Sequence, residues 1–137
     1  MIRYTDVEFN GKKARLCLTM SVLIQAEEIH DCSFSDYFDE KLTTKDRFYR
    51  QIWLISAMSY KGFALYPNEG LAPITIAELE EVYPYELNEL LEKMWDAYTK
   101  ALTQDKPQEE IDLGLIELKK KKTKKHWWQK LSERQSS

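Results

Sequence analysis

The sequence predicts a mostly α-helical fold with a small N-terminal β-hairpin: a compact helical domain followed by a flexible basic C-terminal tail. Three observations predict it. Apolar residues alternate with period two on either side of Asn10-Gly11, they recur at helical spacing through the middle of the chain, and the sign of the charge changes near residue 104. A chain of 137 residues is one domain, or one domain plus a tail. Hydrophobic residues make up 43% and charged residues 31%, with four Gly and four Pro, which excludes collagen-like and low-complexity classes and argues against global disorder. The expected division is a helical domain over 1–104 and a lysine-rich tail over 105–137.

The elements follow in order. Val7 and Phe9 alternate with Asp6 and Glu8, and Ala14, Leu16 and Leu18 alternate with Lys13, Arg15 and Cys17. Asn10-Gly11 between them suits the positive φ angles of a type I′ turn, and the ribbon should lie with one apolar face on something apolar. Thr19 is the expected N-cap of a helix through Met20, Leu23, Ile24 and Ile29, with Glu27 and Glu28 outward. A short segment spans Ser33 to Glu40. Thr43 or Thr44 caps the next helix, which carries Phe48, Ile52, Ile55 and Met58, widened by Trp53 and Leu54, and Gly62 is expected to end it. Apolar residues nearly all round from Ile52 to Met58 mark it as the most buried helix.

Pro67, Asn68, Gly70 and Pro73 punctuate a loop from Phe63 to Pro73. Thr75 and Glu78 form a capping box for a short helix with Ile76, Leu79 and Tyr83 inward. Pro84 opens the last helix, whose period is the clearest in the chain: Leu87, Leu90, Leu91, Met94, Trp95, Tyr98, Ala101 and Leu102 share one face. Glu86, Glu89, Lys93, Asp96 and Lys100 form the opposite, solvated face. The core is expected to rest on Ile52, Ile55, Met58, Leu87, Leu91 and Met94.

From Asp105 to Ser137 nine basic residues face six acidic ones, whereas Met1 to Gln104 holds eleven against seventeen. This is an acidic body with a basic end. Ile111, Leu113 and Leu115 alternate like a strand, Ile111, Leu115 and Leu118 suit a helix, and Gly114 weakens both readings. The lysine run is expected to be disordered alone.

No catalytic constellation emerges. In His30-Asp31-Cys32 adjacent side chains diverge, and no second His or Cys lies nearby. Cys17 and Cys32 match no metal-ligand spacing and read as reduced structural thiols. Glu27-Glu28 and Glu80-Glu81 read as helix surface, and His126 as solvated. The expectation is no enzyme, no cofactor and no metal. No apolar run reaches the roughly 20 residues that span a bilayer, and the first residues lack a signal peptide's apolar stretch, so no membrane contact is expected. Trp53 and Trp95 fall on apolar helical faces and read as core. Trp127 and Trp128, with Lys119, Lys120, Lys121 and Lys122, are the candidate partner-binding residues. The lysines could also neutralise phosphates, but the acidic body repels polyanions, so nucleic acid is an unlikely partner.

The run FNGKKARLCLTMSVLIQAEEIHDCSFSDYF (Phe9 to Phe38), the buried IWLISAMSY (Ile52 to Tyr60), the capped PITIAELEEVYP (Pro73 to Pro84) and a closing amphipathic helix together resemble the tail assembly chaperones of long-tailed bacteriophages. The resemblance covers about Phe9 to Leu102 and is a pattern of elements. It implies a protein of the host cytoplasm that coats the tape measure protein, keeps it soluble until the tail tube polymerises around it, and is absent from the mature virion. It also implies a longer form, made by programmed frameshifting, whose extension contacts the tail tube protein. Lys119 to Lys122 suit an adenine-rich slippery run. Repeated binding along a long client suggests a homo-oligomer. Competing expectations are a nucleic-acid-associated phage accessory protein using the basic tail, and a minor structural tail component.

Overall fold

The computed structural model describes residues 2–103. Two strands and four α-helices follow one another as β1 (Tyr4–Phe9), β2 (Lys12–Cys17), α1 (Met20–His30), α2 (Thr44–Leu65), α3 (Ile76–Glu80) and α4 (Pro84–Leu102), with one 3-10 turn at Phe34–Asp36. The expected fold class is observed: an N-terminal antiparallel hairpin, then helices. The proposed tail over 105–137 lies outside the described residues.

The hairpin closes as its sequence demands. Asn10 and Gly11 take φ of 52° and 73°, and Phe9 pairs with Lys12 across the turn. Val7, Phe9, Ala14 and Leu16 bury one face of the ribbon. β2 packs on α2 and β1 on α4, so the hairpin covers both long helices. Tyr37, Leu54, Ile55, Met58, Ile74, Leu79 and Met94 are fully enclosed at the centre.

Local signals explain most helix boundaries. The Thr43 hydroxyl accepts the Asp46 N–H at 3.1 Å, and Thr75 and Glu78 form the expected reciprocal capping box. Pro84 occupies the first turn of α4. Thr19 stands at the N-cap of α1, but its hydroxyl bonds Ser21 Oγ instead of capping the helix.

Several expectations need correction. Gly62 does not end α2, which runs three residues further to Leu65 and takes in the first part of the expected loop. Gly62 lies in the helix because a Cβ there would come within 2.7 Å of the Arg15 carbonyl carbon and closer still to its oxygen. Only glycine lets α2 approach the β2 main chain so closely. In α1 the contact face is Val22 and Ala26, while Met20, Ile24 and Ile29 are exposed. Small side chains bring α1 onto α2, and the large ones are left at or beyond the contact edge. Phe48, Ile76, Tyr83 and Leu102 are exposed too, and Leu91 is only half-buried against the core.

The turn from α2 to α3 is tied down by polar contacts. Ser59 Oγ accepts the Ile74 N–H at 2.8 Å, and Ser56 Oγ donates to the Ile74 carbonyl at 2.7 Å. The Ala72 N–H donates to the Lys13 carbonyl at 2.9 Å. At the start of β1, the Arg3 guanidinium donates to the carbonyls of Lys100 and Thr103, and the Thr5 hydroxyl donates to Asp96 at 2.6 Å. The first and last described elements therefore lie side by side.

Candidate interaction surface

The polar clusters are built to hold the fold. Arg15 is 4% exposed, and its guanidinium lies between the rings of Tyr4 and Tyr66, at 3.9 and 4.7 Å from their centroids. It donates twice to Asp6, at 2.7 and 3.1 Å, and once to Glu69 at 2.7 Å. The Arg15 hydrogen bonds hold the Asp6 carboxyl below the usual carboxylate range. This cluster clamps the loop after α2 onto the outer face of the hairpin. Its charges are mutually satisfied, as a structural cluster requires.

His30, Asp31 and Cys32 do not converge. His30 Nδ1 lies 3.1 Å from the Ala26 carbonyl, and its ring meets Tyr37 and Trp53 edge to face. Burial lowers its pKa, the direction of a packed neutral imidazole. Asp31 takes a left-handed φ of 50° to end α1. Cys32 Sγ accepts from Arg50 at 3.3 Å, and burial pushes the Cys17 thiol up to about 11, away from nucleophilic chemistry. Among the described residues no group of three His, Cys, Asp or Glu side chains is placed to hold a metal ion. Glu27 accepts the Phe34 N–H at 2.7 Å, while Glu28, Glu80 and Glu81 are exposed.

The feature that stands out is apolar and exposed. An open groove of about 470 Å³ runs between α1 and α2 and reaches α3. Trp53, Ala57, Tyr60 and Ala64 follow one another along α2 at spacings of four, three and four, so they form a single stripe. Val22 and Ile29 form one wall and Ile76 the other, with Gln25 and Lys61 at the rim. Ile29 is 59% exposed and Tyr60 50%. Trp53 is half-buried here and packs on the core with its other side, as Trp95 does on α4. Met20 and Ile24 form a separate strip on the outer face of α1, and Tyr83 and Tyr85 stack on each other at 6.3 Å.

The expected inward positions at Ile29 and Ile76 are thus walls of a surface groove. Sequence reasoning missed the groove because it assigned every large apolar residue of α1 to the core. The available signal was Val22 and Ala26, which fall on one face of α1 while Met20 and Ile24 fall on another. Trp127, Trp128 and Lys119 to Lys122, the candidates named from sequence, lie outside the described residues. No described helix is long and apolar enough to cross a membrane. Comparison with protein-family models, with curated proteins and with solved structures gave no match.

Proposed function

We propose that this protein is an assembly chaperone of the phage-tail kind, an interaction protein that holds a long apolar helical client until a tube polymerises around it. The observation that carries this reading is the groove along α2. Its stripe is helical in spacing, small Ala57 and Ala64 alternate along it with large Trp53 and Tyr60, and exposed Ile29 and Ile76 flank it, a geometry that takes the apolar face of an amphipathic helix. The acidic body supports the reading by keeping a protein with exposed apolar strips soluble. The resemblance over Phe9 to Leu102 supplies the client's identity, the tape measure protein, and the setting, the host cytoplasm. On this reading the tail tube protein is the second partner, many copies act along one client, and no catalysis is involved.

The test is co-expression with a tape measure protein, followed by solubility and pull-down. Ile29→Lys and Tyr60→Glu place charge in the groove at exposed positions. Both should abolish client retention while changing the melting temperature little. Binding should be nearly independent of salt; a steep loss with salt would indicate polyanion binding through the tail instead. Recovery of the chain in purified virions would make it a structural tail component and end the chaperone reading.

A further inference from the structure

The outer edge of β1 is an open sheet edge. In a two-residue hairpin the pair that closes the turn exchanges both hydrogen bonds, and every second pair does the same. Phe9–Lys12, Val7–Ala14 and Thr5–Leu16 are those pairs, so the backbone groups of Tyr4, Asp6 and Glu8 turn outward from β1. The Tyr4 carbonyl accepts Lys100 Nζ at 3.1 Å. The outward N–H and C=O of Asp6 and Glu8 take no partner among the described residues. The other edge of the ribbon is closed, since Lys13 accepts from Ala72 and Arg15 lies against Gly62. Beside Asp6 and Glu8 runs a groove of about 290 Å³ whose far wall is Glu86, Glu89, Leu90 and Lys93 of α4.

We propose that this edge binds a basic, extended segment of another protein, which adds to β1 as a third strand. The two residues of that segment that face Asp6 and Glu8 exchange about four main-chain hydrogen bonds with the edge. In strand addition those bonds supply affinity, and the side chains on either side of the edge supply selection. Selection here is by charge.

The charge is uneven along the groove. The Thr5 hydroxyl meets Asp96 and the Tyr4 carbonyl meets Lys100, so α4 runs antiparallel to β1, with Lys93 toward Asp6 and Glu86 toward Asn10. Asp6 is already paired with Arg15 and Lys13. The carboxylates of Glu8, Glu86 and Glu89 have no hydrogen-bond or ion-pair partner among the described residues, and Glu8 and Glu89 are exposed. These three outweigh Lys93 and gather at the turn end of the edge. In an added strand the residue opposite Glu8 shares its outer face, and the residue opposite Phe9 turns toward α4. Both positions call for Lys or Arg, whereas the residue opposite Val7 turns toward Leu90 and suits an apolar side chain. The pattern recognised is two adjacent basic residues beside an apolar one. A second copy does not supply it. Its β1 would set like charges opposite one another, which is destabilising, and the outer edge of its β2 is closed. The edge belongs to β1 and α4 and the client groove to α1, α2 and α3, so this inference stands apart from the proposed function.

A capped Thr-Lys-Lys-Val-Thr peptide titrated into the full chain, followed by NMR, tests it. The Asp6 and Glu8 amides should shift, and at saturation should exchange with solvent about tenfold or more slowly than in the free chain. Thr5, Val7 and Phe9 donate within the hairpin and should keep their rates. Replacing both lysines of the peptide by Glu should weaken binding about tenfold or more. N-methylation of its second lysine, which removes the donor aimed at the Glu8 carbonyl, should do the same. Glu86→Lys combined with Glu89→Lys should weaken binding to a similar degree while leaving the melting temperature nearly unchanged. Unshifted Asp6 and Glu8 amides would overturn the proposal. An N-methylated peptide that binds as well as the parent would also overturn it, since the contact would then be one of charge alone. Asp6 and Glu8 amides already protected in the free chain would equally overturn it: protection that grows with protein concentration would assign the edge to a second copy, and protection independent of concentration would assign it to the chain itself.

Discussion

Replacing Gly62 by Ala sets two effects of opposite sign against each other. Helix propensity favours alanine inside a helix by about 1 kcal/mol, and Gly62 lies within α2 without a positive φ. On propensity alone the variant would be more stable. Packing says otherwise. The new methyl would sit 2.7 Å from the Arg15 carbonyl carbon and 2.9 Å from Arg15 Cβ, and nearer still to the carbonyl oxygen. The obstacle is mainly β2 backbone, and Arg15 itself is clamped by Asp6, Glu69 and two tyrosine rings, so it cannot swing aside. Relief requires α2 and the hairpin to move apart, opening the interface that covers Leu16 and Ile55. Overpacking of this kind costs about 1–3 kcal/mol, occasionally more. Because the clash is with main-chain atoms the upper end of that range applies, and with the propensity gain subtracted the expected net loss is about 2 kcal/mol, or about 10 °C in melting temperature for a domain of this size. Urea denaturation gives the free energy directly, and Lys61→Ala, the neighbouring half-exposed position, controls for propensity. A Gly62→Ala variant as stable as the natural protein, or more stable, would refute the close approach of α2 to β2.

Three further outcomes are expected. Met94→Ala should cost about 2–5 kcal/mol, as for other fully buried side chains, whereas Leu91→Ala, half-exposed, should cost about 1 kcal/mol; reversal of that order in chemical denaturation would mean that α4 is rotated. Glu78 is held at about 2, chiefly by the Lys12 hydrogen bond and then by the Thr75 N–H. A carboxyl lowered on folding contributes stability above its unfolded value, and that contribution is lost as pH falls through the folded value. Stability should therefore decline between about pH 4.5 and 2, and Glu78→Gln should flatten this limb in urea midpoints measured against pH; an unchanged slope would refute the assignment. Arg15→Ala should cost about 1–3 kcal/mol, through the lost packing between the Tyr4 and Tyr66 rings and the lost charge-assisted hydrogen bonds to Asp6 and Glu69, while Lys13→Ala, at a more exposed ion pair, should cost under about 1 kcal/mol in the same melts.

Much of the fold was legible because its signals are local. Asn10-Gly11, Thr43, the Thr75–Glu78 box and Pro84 each fix a boundary through bonds or angles within a few residues. The period of α4 was legible because one wide face packs on the hairpin and the other helices. α1 was not, because periodicity reports which residues share a face and not which face is covered. Burying Val22 and Ala26 brings the α1 and α2 backbones closer than burying Met20 and Ile24 would, a choice made by the shape of α2. Gly62 was misread for a related reason. A glycine late in a helical pattern suits a left-handed end, but here it suits Arg15, 47 residues earlier in the sequence, rather than a turn beside it. The candidate groove was hidden with α1, since its wall at Ile29 emerges only once the contact face is known. The clamp around Arg15 was out of reach, because it joins Tyr4, Asp6, Tyr66 and Glu69 from two distant stretches.

The side-by-side placement of β1 and α4 has a consequence for how the protein is made. Arg3 and Thr5 find their partners at Lys100, Thr103 and Asp96, some ninety to a hundred residues later in synthesis. At translation rates of about 5–20 residues per second, the hairpin waits roughly 5–20 s before the helix that covers it has been made. During that interval its apolar face, Val7 and Phe9 included, lacks the α4 part of its cover. The long-range contacts between β1 and α4 can therefore form only once α4 has been made.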